Sequence, residues 1–232
     1  MPIQPKKNPF KAQEIYHILR EEIINLTLIP GTMIGEIEMT ERFQISRTPI
    51  REVFKRLEIE GLIRVIPNKG TVVTAINVKE ISKFVYIREK LEIGLVEDLL
   101  PHLTEEGLTI LKLCLLKQDK LIKNTELPLT ERALQFYDLD YEFHVAMFQF
   151  MNQTETLDMI IKMMPNFIRY DMICAQFNTE EELSELYEHH CEIMDALEEK
   201  DLPKLKSIYH EHVQYGVHSF RRLIAEKEDY FN

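Results

Sequence analysis

The stretch that most constrains this fold is residues 44–73, QISRTPIREVFKRLEIEGLIRVIPNKGTVV. Behind the expected N-cap at Ser46, apolar residues recur at i, i+3, i+4 and i+7, which is the spacing of a helix with one buried face. These residues are Ile50, Val53, Phe54 and Leu57. Gly61 ends this helix, and two short β-rich runs follow at 62–66 and 71–74. The sequence therefore predicts a helix followed by a β-hairpin.

The other face of this predicted helix is rich in cations. Arg47, Arg51 and Lys55 follow one another at four-residue spacing, and Thr48 lies beside Arg47. Lys69 adds a positive charge at the hairpin tip. Arginine on a groove-facing helix binds phosphate oxygens or the O6 and N7 atoms of guanine. A basic helix face often has no role beyond solubility. Here, however, a preceding helix, a tight turn, this helix and the hairpin follow one another in the order of a winged helix-turn-helix, so we predict DNA binding.

The composition indicates a helical globular protein. Hydrophobic residues make up 45% and charged residues 29% of the 232 residues, with seven glycines and no tryptophan. No apolar run reaches the roughly 20 residues that cross a bilayer, and the N-terminal segment lacks the apolar core of a signal peptide. Cys114, Cys174 and Cys191 contain no C-x-x-C pair and are typical of reduced thiols. We therefore expect a cytoplasmic protein without a membrane partner.

The net charge of −11 is unevenly distributed along the chain. Residues 1–78 contain 11 Lys and Arg against nine Asp and Glu, whereas residues 79–232 contain 17 against 30. The first part is weakly basic and the second strongly acidic, so the acidic part should face away from DNA. A weakly basic DNA-binding domain needs clustered cations and two copies of itself for tight binding, which predicts a homodimer.

The periodicity of apolar residues divides the chain into two domains. We predict a winged helix-turn-helix domain at 1–75, a short linker at 76–78 and an all-helical domain at 79–232. Six candidate helices joined by short loops predict an antiparallel six-helix bundle in the second domain. Those helices are 79–100, 104–122, 128–151, 154–175, 179–199 and 202–227. The predicted fold class is therefore mainly α, with a small β-hairpin in the first domain.

Four polar side chains interrupt the apolar stripes of the helical domain. Asp140 and His144 lie on the inward side of the third predicted helix, where their i, i+4 spacing places them on one face. His190 continues the stripe of the fifth helix, and His212 that of the sixth. A carboxylate that faces a core is costly unless it is paired or bound to a metal. The pattern therefore nominates one aspartate and three histidines as a metal site.

Imidazole and carboxylate ligands together suit a divalent transition metal. We expect zinc first, with nickel, manganese or iron as alternatives. A buried histidine that only hydrogen-bonds to a neighbour is commoner than a metal ligand, and Asp140 with His144 could form a simple buried pair. Metal binding becomes the better interpretation for the four side chains together, because one ion relieves the desolvation of all of them.

Four segments of the first domain resemble the DNA-binding domain of GntR-type bacterial transcription regulators. They are PGTMI at 30–34, ISRTPIRE at 45–52, LEIEGLI at 57–63 and NKGTVV at 68–73. The resemblance implies DNA contacts from Arg47, Thr48 and Arg51, and a wing tip at Gly70 that enters the minor groove. Many such regulators carry an arginine on the preceding helix where this chain has Ile37, so the operator preference of a relative does not carry over.

The helical domain resembles the FCD ligand-sensing domain of the FadR subgroup of these regulators. The segments that carry the resemblance are REKLE at 88–92, DLDYEFHVAMF at 138–148 and EHHCEIMDALEEKDLPKLKSIYHEHV at 188–213. In metal-binding members the ligands fall at the positions of Asp140, His144, His190 and His212. Arg88 matches a position that often lines the effector pocket, where it would pair with a carboxylate. An ordinary ion pair between Arg88 and Glu92 at i+4 is equally open.

Three functions are compatible with the sequence. The first is a transcription regulator, either a repressor or an activator, whose homodimer binds a palindromic operator and whose helical domain binds a small organic acid at the metal. The second is a metal-dependent enzyme, a hydrolase or an oxygenase, with a DNA-binding appendage. We find no nucleophile motif, glycine-rich phosphate loop or separate general base, and we predict no catalytic residues. The third is an architectural DNA-binding dimer in which any metal only stabilises the bundle.

Overall fold

The computed structural model describes residues 10–217 and 220–232. Residues 1–9 of the predicted first domain and 218–219 of the predicted second domain lie outside this part of the chain. The described fold is mainly α-helical with one small antiparallel sheet of three strands, which confirms the predicted fold class. No helix in the described ranges is both long and apolar enough to span a membrane.

Contacts within the chain define two compact units. One comprises the residues up to Asn77 together with Lys227–Asn232, and the other comprises Val78–Glu226. The last six residues, which the sequence assigned to the helical domain, therefore group with the first unit. They join it through a parallel β-bridge between Ile76 and Phe231, where the amide and the carbonyl of Ile76 each form a backbone hydrogen bond with a neighbour of Phe231.

The first unit contains three helices and three strands before the linker. In chain order they are α1 (Ala12–Ile24), β1 (Met33–Ile34), α2 (Glu36–Phe43), α3 (Arg47–Ile59), β2 (Ile63–Ile66) and β3 (Gly70–Val73). Strand β3 lies between β1 and β2 and pairs antiparallel with both. Val72 of β3 is opposite Arg64 of β2 on one side and Met33 of β1 on the other. The sheet is the predicted hairpin with one further short strand, so this unit is a winged helix-turn-helix.

Helix α3 buries the apolar stripe that its sequence indicates. Its four stripe residues are at most 5% exposed. They form one core with Ile15 and Leu19 of α1 and Phe43 of α2. Because one face of α3 is held in this core, the opposite face with its cations is left at the surface.

The ends of α3 follow from its flanking residues. Ser46 occupies the N-cap with an extended backbone, although its side chain makes no capping hydrogen bond. Beyond the C-terminus, Gly61 adopts a φ of +74°, which glycine tolerates better than other residues. The amides of Gly61 and Leu62 donate to the carbonyls of Glu58 and Leu57, a Schellman arrangement that satisfies the last carbonyls of the helix. This end leads the chain into β2.

The second unit is entirely helical in its described part. Its helices are α4 (Val78–Leu99), α5 (Glu105–Ile122), α6 (Leu129–Phe150), α7 (Thr154–Met163), α8 (Pro165–Phe177), α9 (Glu180–Glu199), α10 (Leu202–Tyr215) and α11 (Phe220–Glu226). Helix α6 packs against α5 and α8, and α10 packs against α9 and α4. Phe136, Phe143 and Tyr209, from α6 and α10, are fully buried between these helices. This core surrounds the polar residues that the sequence singled out.

Two of the six predicted helices are each divided in the structure. The predicted helix 154–175 becomes α7 and α8 because Pro165 has no amide hydrogen and takes the first position of a new helix. The predicted helix 202–227 ends earlier, at Tyr215, with Gly216 as its C-cap, and α11 is separate. The described part of the unit therefore has eight α-helices where the sequence indicated six.

Candidate metal centre and nucleic-acid interface

The four predicted metal ligands meet in the helical unit. Asp140 and His144 come from α6, His190 from α9 and His212 from α10, and their ligand atoms all lie within 4.8 Å of one another. The Nε2 atoms of the three histidines surround Oδ1 of Asp140. Their distances to this oxygen are 3.8 Å for His144, 3.2 Å for His190 and 3.7 Å for His212. Three imidazole nitrogens and one carboxylate oxygen thus converge on one point.

The ligand set is enclosed by the protein. The three histidines are at most 4% exposed, and the Asp140 side chain is 17% exposed. Burial by itself would raise the pKa of Asp140, but the positive charge of the Arg88 guanidinium, whose Nη2 atom lies 3.8 Å from Oδ2, acts in the opposite direction and favours the ionised form. Asp140 is therefore an anion that faces three imidazoles.

Gln118 determines the orientation of His190. The Gln118 amide nitrogen donates to the Leu139 carbonyl at 3.1 Å, so its amide oxygen must be the atom that faces Nδ1 of His190 at 2.8 Å. An amide oxygen only accepts hydrogen bonds, which puts the His190 proton on Nδ1. The Nε2 lone pair then points at the Asp140 carboxylate, where neither atom has a proton to share. A cation between them would remove this repulsion.

Glu92 likewise favours a proton on Nδ1 of His144. Oε2 of Glu92 lies 2.5 Å from Nδ1 of His144, so the carboxylate favours a proton on this nitrogen. The other carboxylate oxygen of Glu92 accepts a hydrogen bond of 2.6 Å from Nε of Arg88. Although burial opposes ionisation, Arg88 and His144 lower the pKa of Glu92 to about 2. A carboxylate beside one ring nitrogen of a histidine ligand is a common supporting contact, and the other nitrogen of His144, Nε2, lies 2.9 Å from Nε2 of His212.

The protonation states of the His190 and His212 rings also suit metal binding. Burial lowers the pKa of His190, and burial together with His190 and His144 places the pKa of His212 well below its ordinary value. Both rings are therefore neutral at pH 7, which is the form that binds metals. The donor set of three imidazoles and one carboxylate is one that zinc, nickel, manganese and iron accept. The residues present thus fit a divalent transition metal.

Sequence reasoning did not identify Gln118 or the role of Glu92 beside His144. Both are polar residues in buried positions of apolar helices: Gln118 is 0% and Glu92 is 2% exposed. Gln118 follows Leu111, Cys114 and Leu115 on the stripe of α5, so the search that found the histidines could also have found it. Their partners, however, lie on other helices and have no signal in the local sequence.

A cavity of about 270 Å³ adjoins two of the four candidate ligands. It is lined by α4, α6, α7 and α8, and it includes Arg88, Asp140 and His144 in its wall. A second, much smaller cavity of about 40 Å³ shares Arg88, Asp140 and Asp171 with it and also includes His212. The two cavities give a small molecule a place beside the candidate metal centre.

Arg88 combines the two arrangements that the sequence left open. It forms the i, i+4 ion pair with Glu92, and it also lines both cavities. Its Nη2 atom lies 3.8 Å from Oδ2 of Asp140. Burial opposes its charge, but Glu92 and Asp140 outweigh burial and raise the pKa of Arg88 above its usual value. Arg88 is therefore a permanent cation next to the ligand set.

The predicted DNA contacts are all at the surface of the first unit. Arg47, Thr48 and Arg51 on α3, and Lys69 and Gly70 at the hairpin, are exposed. Nε of Arg51 donates to both carboxylate oxygens of Glu36 on α2, at 3.0 and 2.9 Å. Gly70 has a φ of +114°, so the hairpin tip depends on glycine there. Ile37, where many regulators carry an arginine, is 56% exposed.

Comparison with known families covers both units. The family described as "Bacterial regulatory proteins, gntR family" matches residues 11–73. The FCD domain matches residues 84–215, which is more than half of the chain. The first match contains α1 to β3, and the second contains all four candidate metal ligands.

Similar proteins match over most of their length. The HTH-type transcriptional repressor RspR of Escherichia coli strain K12 is 28% identical over 236 residues, which cover 100% of this chain and 99% of the relative. The gluconate operon transcriptional repressor of Bacillus licheniformis is 28% identical over 195 residues, 82% of this chain and 77% of the relative. The solved structure of E. coli McbR/YncC aligns with a TM-score of 0.67 and 20% identity, covering 93% of this chain and 97% of that one. This last similarity shows a shared fold.

Proposed function

Because the chain belongs to the GntR family of bacterial transcription regulators and carries an FCD domain, it is a regulator and not an enzyme, and we propose that it senses a small organic acid through a metal. In this proposal a homodimer binds a palindromic operator through its winged helix-turn-helix units. The acid binds at the metal in the helical unit and changes the affinity for DNA.

The metal site is the central part of the proposal. Its ligands are Asp140, His144, His190 and His212, with zinc as the first expectation and nickel, manganese or iron as alternatives. The observation that supports it best is the contact between Nε2 of His190 and Oδ1 of Asp140, 3.2 Å apart. Because Gln118 keeps the His190 proton on Nδ1, this contact is repulsive without a cation.

The acid would bind with its carboxylate between the metal and Arg88. A divalent ion with four protein ligands has coordination positions left for a carboxylate oxygen. Arg88 lines both cavities beside the ligand set and supplies planar donors that match a carboxylate. Glu92 holds the Arg88 guanidinium in this place through the 2.6 Å hydrogen bond. In this arrangement Arg88 orients the acid, and the surrounding helices exclude water.

DNA binding uses the exposed face of α3. Arg47, Thr48 and Arg51 contact bases and phosphates in the major groove, while Lys69 and Gly70 at the hairpin tip reach the minor groove. In a homodimer the two α3 helices occupy successive major grooves about 34 Å apart. Glu36 holds the Arg51 side chain through two hydrogen bonds, which limits the conformations that Arg51 must lose on binding.

A footprinting experiment on DNA selected by the protein from a random library tests this function. We expect two protected half-sites whose centres are one helical turn, about 10–10.5 base pairs, apart or a multiple of that distance. Arg47→Ala should weaken binding at least about fivefold in fluorescence anisotropy, because it removes a groove contact worth about 1–3 kcal/mol. Lys162→Ala, which removes an exposed cation from α7, is the charge-matched control and should leave the affinity unchanged. A single unpaired footprint, or equal losses in both variants, would contradict the proposal.

A further inference from the structure

The cavity of about 270 Å³ beside the ligand set has a wall that is mostly hydrocarbon. Its apolar side chains come from four helices and include Phe84, Phe148, Leu157, Ile160, Phe167 and Met172. Binding sites for small molecules usually occupy about 300–1,000 Å³, so this cavity suits a small ligand. A wall whose exposed surface is mostly apolar favours an apolar group, because burial of that group removes hydrocarbon surface from water on both sides. A hydroxyl group placed against the hydrocarbon part of the wall would lose its water without gaining a partner.

The cavities offer a ligand one cationic side chain. In the wall of the larger cavity the Arg88 guanidinium is accompanied by the carboxyl groups of Glu92, Asp138 and Asp140. A ligand carboxylate therefore depends on Arg88 and the metal for its partners. Among the residues that the structure describes, Arg88 is the only lysine or arginine that lines either cavity. A second carboxylate on the ligand would therefore have no cation to pair with.

Asp171 on α8 offers a second carboxylate no positive charge. It lines both cavities together with Arg88 and Asp140. Burial raises the pKa of Asp171 well above its ordinary value, so this carboxyl is neutral at pH 7.

We infer that the effector is a monocarboxylic acid with an apolar body, and that dicarboxylic and polyhydroxylated acids are rejected. This inference rests on the proposed sensor function and specifies the ligand class of the same site. The carboxylate lies at Arg88 and the metal, and the hydrocarbon body lies against α7 and α8.

Three acids with the same six-carbon chain test the inference on the full-length, zinc-loaded protein. They are hexanoate, adipate, which adds a second carboxylate, and gluconate, which adds five hydroxyl groups. In isothermal titration calorimetry we expect hexanoate to bind at least tenfold more tightly than either of the others. Equal or tighter binding of adipate or gluconate would overturn the inference, and so would a failure of hexanoate to bind at all.

A substitution tests the apolar part of the inference. Ile160→Ala shortens a side chain in the cavity wall and should weaken hexanoate binding about three- to tenfold. Met159→Ala, at a neighbouring position of α7 that is 66% exposed, is the control and should have no effect. Equal hexanoate affinity in both variants would contradict binding of the hydrocarbon body in this cavity.

The same titrations distinguish this inference from the proposed function. If hexanoate binds more tightly than the other acids but DNA affinity does not respond, the ligand class stands and the sensor function fails. If adipate or gluconate binds more tightly and changes DNA affinity, the sensor function stands and the ligand class is wrong. Circular dichroism of Ile160→Ala identifies any loss of binding that is due to unfolding, and the comparison of the three acids on the unmodified protein does not depend on that variant.

Discussion

At the level of single residues, metal binding depends on which nitrogen of each histidine carries the proton. Gln118 and Glu92 each face an Nδ1 atom, and they thereby direct Nε2 of His190 and His144 towards Asp140. The same contacts that prepare these rings for a metal make the cluster unfavourable without one. The metal-free protein should therefore be both less stable and sensitive to acid.

Replacing a ligand should abolish the metal site without disturbing the neighbouring helix surface. His212→Gln removes one of the converging Nε2 atoms, and we expect zinc affinity to fall more than about 100-fold, since loss of a supporting contact alone costs about 10–100-fold. His210→Gln changes a residue on the same helix that is exposed and lies 3.3 Å from Glu89, away from the ligand set. Elemental analysis should find one metal ion per chain in the control and much less in His212→Gln. Equal metal content in both would rule out this ligand assignment.

Acid should destabilise the metal-free protein from about pH 6.5 downwards. Burial lowers the pKa of His190, and that of His212 is well below the ordinary value of 6.5. The unfolded chain therefore binds more protons than the folded protein as the pH falls through 6.5, and its free energy of unfolding decreases. The slope should reach up to about 1.4 kcal/mol per pH unit for each histidine.

Glu92 changes stability in the same direction but at lower pH. Its folded pKa of about 2 is below the ordinary value of 4.5, so its contribution is complete above pH 4.5 and is lost as the pH falls towards 2. Urea denaturation in the presence of a chelator between pH 7.5 and 5 therefore reports mainly on the histidines. Stability that stays constant or increases on acidification over this range would show that the two rings are not held neutral in the fold.

At the level of helices, α5 and α6 pack tightly at Gly107. A Cβ atom at Gly107 would lie 2.7 Å from Cε2 of Phe150 and 3.1 Å from Cδ1 of Leu103. Gly94, in the middle of α4, would have no atom within 4 Å of an added Cβ. The two helical glycines thus differ in the space available for a methyl group.

Alanine at these two glycines should have opposite effects on stability. Overpacking costs about 1–3 kcal/mol, which exceeds the gain of about 0.4–1 kcal/mol from a less flexible unfolded chain. We therefore expect Gly107→Ala to lower the free energy of unfolding by about 1 kcal/mol and Gly94→Ala to raise it by a few tenths to 1 kcal/mol. Chemical denaturation measures both. A stabilising Gly107→Ala would mean that Phe150 moves aside at little cost.

The sequence was sufficient to predict that these four side chains lie together, because each occupies the apolar stripe of its helix. Each side chain shows its inward direction through its own neighbours at i±3 and i±4. The roles of Glu92 and Gln118 could not be predicted in this way, because each depends on a partner that another helix supplies. The division of the predicted helix 154–175 had a local signal, since Pro165 cannot donate the amide hydrogen bond of a continuous helix.

At the scale of the whole molecule, the two units differ in charge and are joined by the chain at two places. The first unit, residues 1–77 with 227–232, contains 12 Lys and Arg against 11 Asp and Glu, an excess of one positive charge. Residues 78–226 contain 16 against 28, an excess of 12 negative charges. The chain passes from the first unit to the helical unit after Asn77 and returns to the first unit after Glu226. A change in the helical unit can therefore reach the DNA-binding unit through both chain connections.

The most direct test of the account is the DNA affinity of the zinc-loaded protein with and without an acid. Fluorescence anisotropy with a selected operator would be measured for the unmodified chain and for His212→Gln, in the absence of acid and with hexanoate, adipate or gluconate. We predict that at least one acid changes the affinity of the unmodified protein by about 5–150-fold, the usual range of coupling between two sites, and that none changes the affinity of His212→Gln. An equal response of both proteins, or no response to any acid in the unmodified protein, would contradict metal-dependent sensing.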